Sequence, residues 1–141
     1  MNTVLGALLV FAVSTGASQQ PAVPDHAATV RAFVDAFNAQ NVERMLALVT
    51  ADVEWISVDG VKLSTETAGK DALRTSMTAY FKGCPTCRSA VEIGTATANR
   101  VATVETASWT GAAGPRSQRG LAVYEFKDGL IRRVYYFPAE K

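Results

Sequence analysis

The chain has 141 residues, 48% of them hydrophobic and 19% charged, which predicts one packed domain and excludes a disordered chain. Fourteen lysines and arginines against thirteen acidic residues leave a net charge of +1, so we expect no nucleic-acid partner. Two cysteines and one histidine are too few for any standard zinc framework, and we expect neither a metal nor another cofactor.

The N-terminus carries a pattern typical of export. Val4–Val13 is an unbroken apolar run, too short to cross a hydrocarbon core, which needs about 20 helical residues. It matches the hydrophobic region of a signal peptide, although Met1–Thr3 carries no lysine or arginine. We predict a signal peptide over residues 1–18, cleaved near Ala17 or Ser18, and a periplasmic or secreted protein. The alternative is a buried or frayed N-terminal helix on a cytoplasmic protein.

Three helices are predicted after a short extended leader over residues 19–25. Asp25 can cap a helix from His26 to Ala39, whose apolar residues recur at helical spacing: Val30, Phe33, Val34 and Phe37. Asn41 can cap a second, shorter helix with an apolar face of Met45, Leu48 and Val49. The third begins near Gly69, ends before Gly83 and has on one face Leu73, Met77, Tyr80 and Phe81.

The other segments have the patterns of strands. Val53–Val58 and Val61–Glu66 flank Asp59-Gly60, a hairpin turn signal. Four more strands are predicted after the third helix: Arg88–Thr95, Arg100–Thr110, Ser117–Phe126 and Leu130–Phe137. This order predicts an α+β fold, with three N-terminal helices on one face of a curved antiparallel sheet. Such a sheet forms a cone with one mouth, a natural site for a small apolar molecule.

Two stretches near the start of the domain resemble a known family. Val30–Val42 and Met45–Trp55 are similar to the opening of nuclear transport factor 2-like domains, most of all to the SnoaL-like branch, which includes polyketide cyclases and is related to the steroid delta-isomerases. Gly69–Leu73 fits that family's third helix and Tyr124–Val134 its last hairpin. The resemblance implies that residues 26–141 form one cone-shaped, cystatin-like α+β barrel, often a homodimer through the sheet. Apolar and aromatic residues on both faces of the last predicted strand favour such a dimer.

The resemblance also allows a test for steroid isomerase chemistry. That reaction needs an acidic base, together with a tyrosine and a protonated carboxylic acid that hold an oxyanion. By alignment with the family, the tyrosine position holds Phe33, the base position Ser57 and the acid position Ala122. Because none of these side chains can perform the family's role, we expect no delta-isomerase of the known type.

Glu105 is the candidate general acid or base. It shares one face of its predicted strand with Thr103, Ala107 and Trp109. If this face points into the cone, the apolar surroundings raise the pKa of the Glu105 carboxyl. The alternative is a solvent-facing Glu105 paired across the hairpin with Arg119 or another basic residue. The candidate ligand-binding residues are Trp55, Ser57, Trp109 and Tyr124, of which the aromatic ones are otherwise ordinary core residues.

Cys84 and Cys87 form a C-x-x-C sequence with several possible roles. A zinc site lacks a second pair of ligands. Redox activation needs a helix N-terminus, whereas this sequence follows a helix. In an exported protein we expect a local disulfide between Cys84 and Cys87, with free thiols and redox catalysis as the alternatives.

Two functions remain open from the sequence. The first is an exported SnoaL-like protein that binds a small, largely apolar molecule in its pocket, with isomerase-, cyclase- or hydrolase-like acid–base chemistry through Glu105. The alternative is a non-catalytic dimeric binding or protein-interaction module. A deep cavity with a carboxyl and a hydroxyl near its floor favours the first function, and a cone filled by its own side chains favours the second.

Overall fold

The structure, a computed structural model, describes residues 24–140. Its helices are α1 (His26–Asn38), α2 (Val42–Leu46) and α3 (Lys70–Gly83). Its strands are β1 (Val49–Asp59), β2 (Lys62–Ala68), β3 (Arg88–Ala96), β4 (Arg100–Gly111), β5 (Gly114–Lys127) and β6 (Leu130–Tyr136). This is the predicted order of elements. The predicted signal peptide lies outside the described residues, and no helix within them is long and apolar enough to span a membrane.

The first two helices begin at the predicted caps. The Asp25 carboxylate accepts a hydrogen bond from the Ala28 amide at 2.9 Å, and the Asn41 side chain accepts one from the Arg44 amide at 3.0 Å. The predicted extent of α2 is wrong, because α2 ends at Leu46 and Val49 is the first, fully buried residue of β1. Over so few residues, helical spacing does not distinguish a helix from the strand that follows it.

The six strands form one curved, unclosed sheet in the order β2-β1-β6-β5-β4-β3. All neighbours are antiparallel except β1 and β6, which run parallel and join the N-terminal hairpin to the C-terminal meander. The register shifts at Trp55/Ile56, at Ile93/Thr95 and at Glu125/Phe126. Irregularities of this kind bend a strand and strengthen its twist, which curves the sheet around the helices.

The hydrophobic core lies between the helices and the concave face of the sheet. Its buried members include Val30 and Phe33 of α1, Leu73 of α3, and Val101, Tyr124 and Val134 of the sheet. Glu125, which follows Tyr124, and Arg133, which precedes Val134, point to the opposite, outer face of the sheet. There Arg133 forms ion pairs with Glu54 at 2.6 Å and with Glu125 at 3.2 Å. The sheet thus has an apolar inner face and a partly charged outer face.

A disulfide joins Cys84 and Cys87, whose Cα atoms lie 5.4 Å apart. The bond follows the end of α3 and precedes β3, so the predicted local disulfide is confirmed. The Gln40 side-chain amide donates to the carbonyl of Pro85 at 2.9 Å and ties this turn to the end of α1. A loop this short contributes roughly 2 kcal/mol by chain entropy.

Candidate functional site

A cavity of about 210 Å³ lies between the helices and the concave face. Six of its lining side chains are aromatic: Phe33, Phe37, Trp55, Tyr80, Tyr124 and Tyr136. Four more are apolar, namely Val34, Met45, Met77 and Ala107, and two are polar, namely Ser89 and Glu105. Among residues 24–140, Glu105 is therefore the one carboxyl in a largely aromatic cavity, and no lysine or arginine of that range lines it.

The register of the central strands directs Glu105 inward. Glu105 lies opposite Gly120 on β5, and Thr103, two residues earlier on the same face, is fully buried opposite Ala122. The C-terminal segment passes over Gly120, with the carbonyl oxygen of Phe137 at an ordinary contact distance from the position of a Cβ atom there. A second cavity of about 110 Å³ also contacts Glu105 and Tyr136 on the side of Gly120 and Phe137. The carboxyl thus borders two cavities.

Hydroxyl groups surround the Glu105 carboxyl. The Tyr124 hydroxyl donates to Oε1 at 2.5 Å, and the Tyr136 hydroxyl donates to Oε2 at 3.4 Å. The Thr103 hydroxyl lies 3.4 Å from Oε1. Arg119, the predicted alternative partner, instead forms ion pairs with Glu92 at 3.4 Å and Glu140 at 3.9 Å. Within residues 24–140 the carboxyl therefore has hydrogen-bond donors but no ion-pair partner.

Burial controls the titration of this cluster. Desolvation raises the pKa of the Glu105 carboxyl above its ordinary value of 4.5, and the hydrogen bonds from Tyr124, Tyr136 and Thr103 oppose that rise. Burial also raises the pKa values of the Tyr124 and Tyr136 phenols well above 10.0. The phenols consequently stay protonated and act as donors, while the carboxyl can exchange a proton with a bound molecule.

The predicted ligand-binding residues divide into two pairs. Trp55 and Tyr124 line the cavity together with Glu105, whereas Ser57 and Trp109 do not. Ser57 pairs with Tyr136 on β6, and the Tyr136 side chain reaches the cavity instead. Trp109 shares the strand face of Glu105 but lies four residues farther along β4, roughly 13 Å at the usual strand rise. There it lines an adjoining depression beside the disulfide, which shares Tyr80 and Ala107 with the main cavity.

Sequence reasoning missed Tyr136 as a site residue. Its signal was available, since Tyr136 lies two residues after the core residue Val134 and hence on the same face of β6. Phe37 and Tyr80 were assigned to helix faces but not to the cavity. Within the described part of the chain, no group of three or more histidine, cysteine, aspartate or glutamate side chains is placed to hold a metal ion.

Comparison with known proteins assigns the family. The SnoaL-like domain family matches residues 30–134, so this chain belongs to that family, within the nuclear transport factor 2-like superfamily. No curated protein matches the chain in sequence. Solved structures confirm the fold predicted from the family resemblance.

Three of these structures match this chain over most of its length. A cystatin-fold protein from Novosphingobium aromaticivorans shares 20% identity at a TM-score of 0.70, over 80% of this chain and 97% of that one. A Mycobacterium tuberculosis protein in complex with estradiol-17beta-hemisuccinate shares 18% at 0.65, over 79% and 91%. A putative ketosteroid isomerase from Kribbella flavida shares 21% at 0.65, over 82% and 78%. At these identities the likeness shows the fold alone.

Replacement of Glu105 by Gln removes the ionisable group and keeps its approximate shape. Because the folded-state pKa is raised, the ionised carboxyl destabilises the folded protein. The destabilisation is absent at pH values below the ordinary carboxyl pKa of 4.5. It grows as the pH rises from there and stops growing once the pH exceeds the pKa in the folded state. We expect the free energy of unfolding of the wild type, relative to Glu105→Gln, to fall with rising pH across that window and then level off. Denaturant unfolding at a series of pH values measures this difference, and equal pH dependence of the two proteins would contradict it.

Proposed function

We propose that the protein binds a small, largely apolar molecule in this cavity and acts on it by acid–base chemistry through Glu105. The observation that carries the proposal is a carboxyl in an aromatic cavity, bonded to two phenols and without an ion-pair partner among the described residues. Desolvation raises the pKa of this carboxyl above its ordinary value, and a raised carboxyl pKa favours a role as general acid or base. Isomerase-, cyclase- and hydrolase-like reactions all use such a group.

The cavity volume bounds the size of the molecule. An engineered apolar cavity of about 150 Å³ binds benzene, so about 210 Å³ suits a body of one or two rings. The M. tuberculosis structure contains estradiol-17beta-hemisuccinate, which supports a small-molecule ligand in this fold. The wall composition supports an apolar body, because ten of the twelve lining residues named above are aromatic or apolar.

A binding role without chemistry is the second candidate. It is favoured by Phe33, Ser57 and Ala122, which occupy the positions where the isomerase relatives carry their base and oxyanion donors. Phe33 and Ala122 are also buried core residues. In this alternative, Glu105 anchors the ligand and no proton moves.

Native mass spectrometry of the protein purified from its source identifies the bound molecule. With that molecule, we expect Glu105→Gln to lower turnover about 100-fold or more, since general acid–base catalysis contributes about 10²- to 10⁴-fold. Glu92→Gln is the matched control, because it makes the same change on β3 at a carboxyl that does not line the cavity. Unchanged turnover in Glu105→Gln would refute its catalytic role, and binding without any turnover by the wild type would favour the second candidate.

We infer that the protein is exported. The apolar run Val4–Val13 and the small residues after it support a signal peptide. The disulfide between Cys84 and Cys87 supports an oxidising compartment, where such bonds persist. Intact mass spectrometry of the protein from its native host should give a chain that begins near residue 18 or 19 and carries an intact disulfide. A cytoplasmic protein that retains Met1 and two free thiols would contradict export.

We also propose that two copies associate through the outer face of the sheet. On that face Leu121 lies opposite Val104, and Val123 lies opposite Tyr135, which forms an apolar patch beside the ion pairs of Arg133. Leu121 is 40% exposed, and contiguous apolar surface of this kind marks interaction sites.

A charge in this patch tests the association. Light scattering should give a dimer for the wild type and a monomer for Leu121→Glu, because a buried unpaired carboxylate opposes association. Leu63→Glu on β2 is the control, since Leu63 is an exposed leucine that is not part of this patch. A monomeric wild type at high concentration would refute the dimer.

A further inference from the structure

Both oxygens of the Glu105 carboxyl accept hydrogen bonds, but the carboxyl has no ion-pair partner among the described residues. Both oxygens face hydroxyl groups, with Tyr124 at 2.5 Å from Oε1 and Tyr136 at 3.4 Å from Oε2. Phenols that donate to both oxygens match the acceptor pattern of an ionised carboxylate, since a protonated acid needs an acceptor for its own hydrogen. In the part of the chain that the structure describes, no basic side chain lines the cavity to balance that charge.

The walls next to this cluster are the faces and edges of aromatic rings. Trp55 stacks on Tyr136 with ring centroids 5.7 Å apart, and Phe33 lies 5.5 Å from Trp55 and 6.5 Å from Tyr124. These rings line the same cavity as the carboxyl, Phe33 from α1 and the others from the sheet. Aromatic faces attract cations through their quadrupole, and aromatic cages are used to bind ammonium groups.

We propose that the ligand of this cavity is a hydrophobic organic cation, namely an amine whose protonated nitrogen lies against Glu105 and whose one- or two-ring body contacts the aromatic walls. The inference rests on the proposed function, because it specifies the chemical class of the molecule that the same cavity binds. The ammonium group supplies the positive charge that the cavity walls lack. Its attraction to the carboxylate also offsets the desolvation penalty that raises the pKa of the Glu105 carboxyl in the free protein.

A pair of probes with the same ring body tests the charge requirement. At neutral pH 2-naphthylmethylamine is a cation, whereas 2-naphthylmethanol is neutral and of nearly the same shape. Calorimetry should show the wild type binding the amine at least tenfold more tightly than the alcohol. That preference should disappear in Glu105→Gln and persist in Glu92→Gln, whose altered carboxyl does not line the cavity.

A second measurement uses the wild type alone, so that it does not depend on the folding of a variant. In an NMR titration, saturation with the amine should lower the pKa of the Glu105 carboxyl relative to the free protein, and saturation with the alcohol should not. Binding of the alcohol as tightly as the amine would overturn the inference and leave the proposed function standing, because an apolar body still enters. If neither probe binds, the proposed cavity ligand of one or two rings is refuted as well.

Discussion

The burial of the Glu105 carboxyl on an apolar sheet face constrains the rest of the site. A buried carboxylate without compensation costs several kcal/mol, so each of its oxygens needs a partner. Tyr124 supplies one partner from β5, which pairs with β4, and Tyr136 supplies the other from β6, the next strand beyond β5. Their positions in turn require the register that sets Tyr124 opposite Val134 and Tyr136 opposite Ala122. Loss of Tyr124 would leave Oε1 with the Thr103 hydroxyl at 3.4 Å, whereas loss of Tyr136 would remove the one donor that Oε2 has among the described residues. A buried oxygen without a donor is more damaging than the loss of an ordinary hydrogen bond.

The C-terminal segment and a covalent bond flank this cluster. The segment crosses over Gly120, where an added Cβ atom would lie at an ordinary contact distance of 3.5 Å from the carbonyl oxygen of Phe137. Phe137 and Ala139 of this segment line the second cavity that Glu105 borders. At the other end, the Cys84 amide donates to the Tyr80 carbonyl at 2.8 Å. The disulfide thus holds the last turn of α3, from which Tyr80 contributes to the cavity wall.

Local patterns were enough to predict most elements, because caps, turns and hydrophobic periodicity act over a few residues. Asp25, Asn41 and Asp59-Gly60 all mark boundaries that the structure contains. Alternation along β4 also indicated that Glu105 shares one face of the strand with Thr103. It could not show how far along the strand the cavity extends, and Trp109 lies in the adjoining depression beside the disulfide. The parallel pairing of β1 with β6, which brings Trp55 beside Val134, joins segments about 80 residues apart and has no local signal.

The composition of the cluster also limits the chemistry. The isomerase mechanism of the relatives divides its work between one carboxyl that moves a proton and another acid that holds the oxyanion. Ser57 and Ala122, which the family resemblance aligns with two of those positions, carry no carboxyl, and Glu105 is the one carboxyl among the described residues that lines the cavity. It would have to take the proton and return it, while the protonated Tyr124 and Tyr136 serve as the hydrogen-bond donors. A bound ammonium ion would hold Glu105 in its ionised form and so favour its role as a base. With a charged amine as ligand, removal of a proton by Glu105 would therefore be the first step, and return of that proton would be the second.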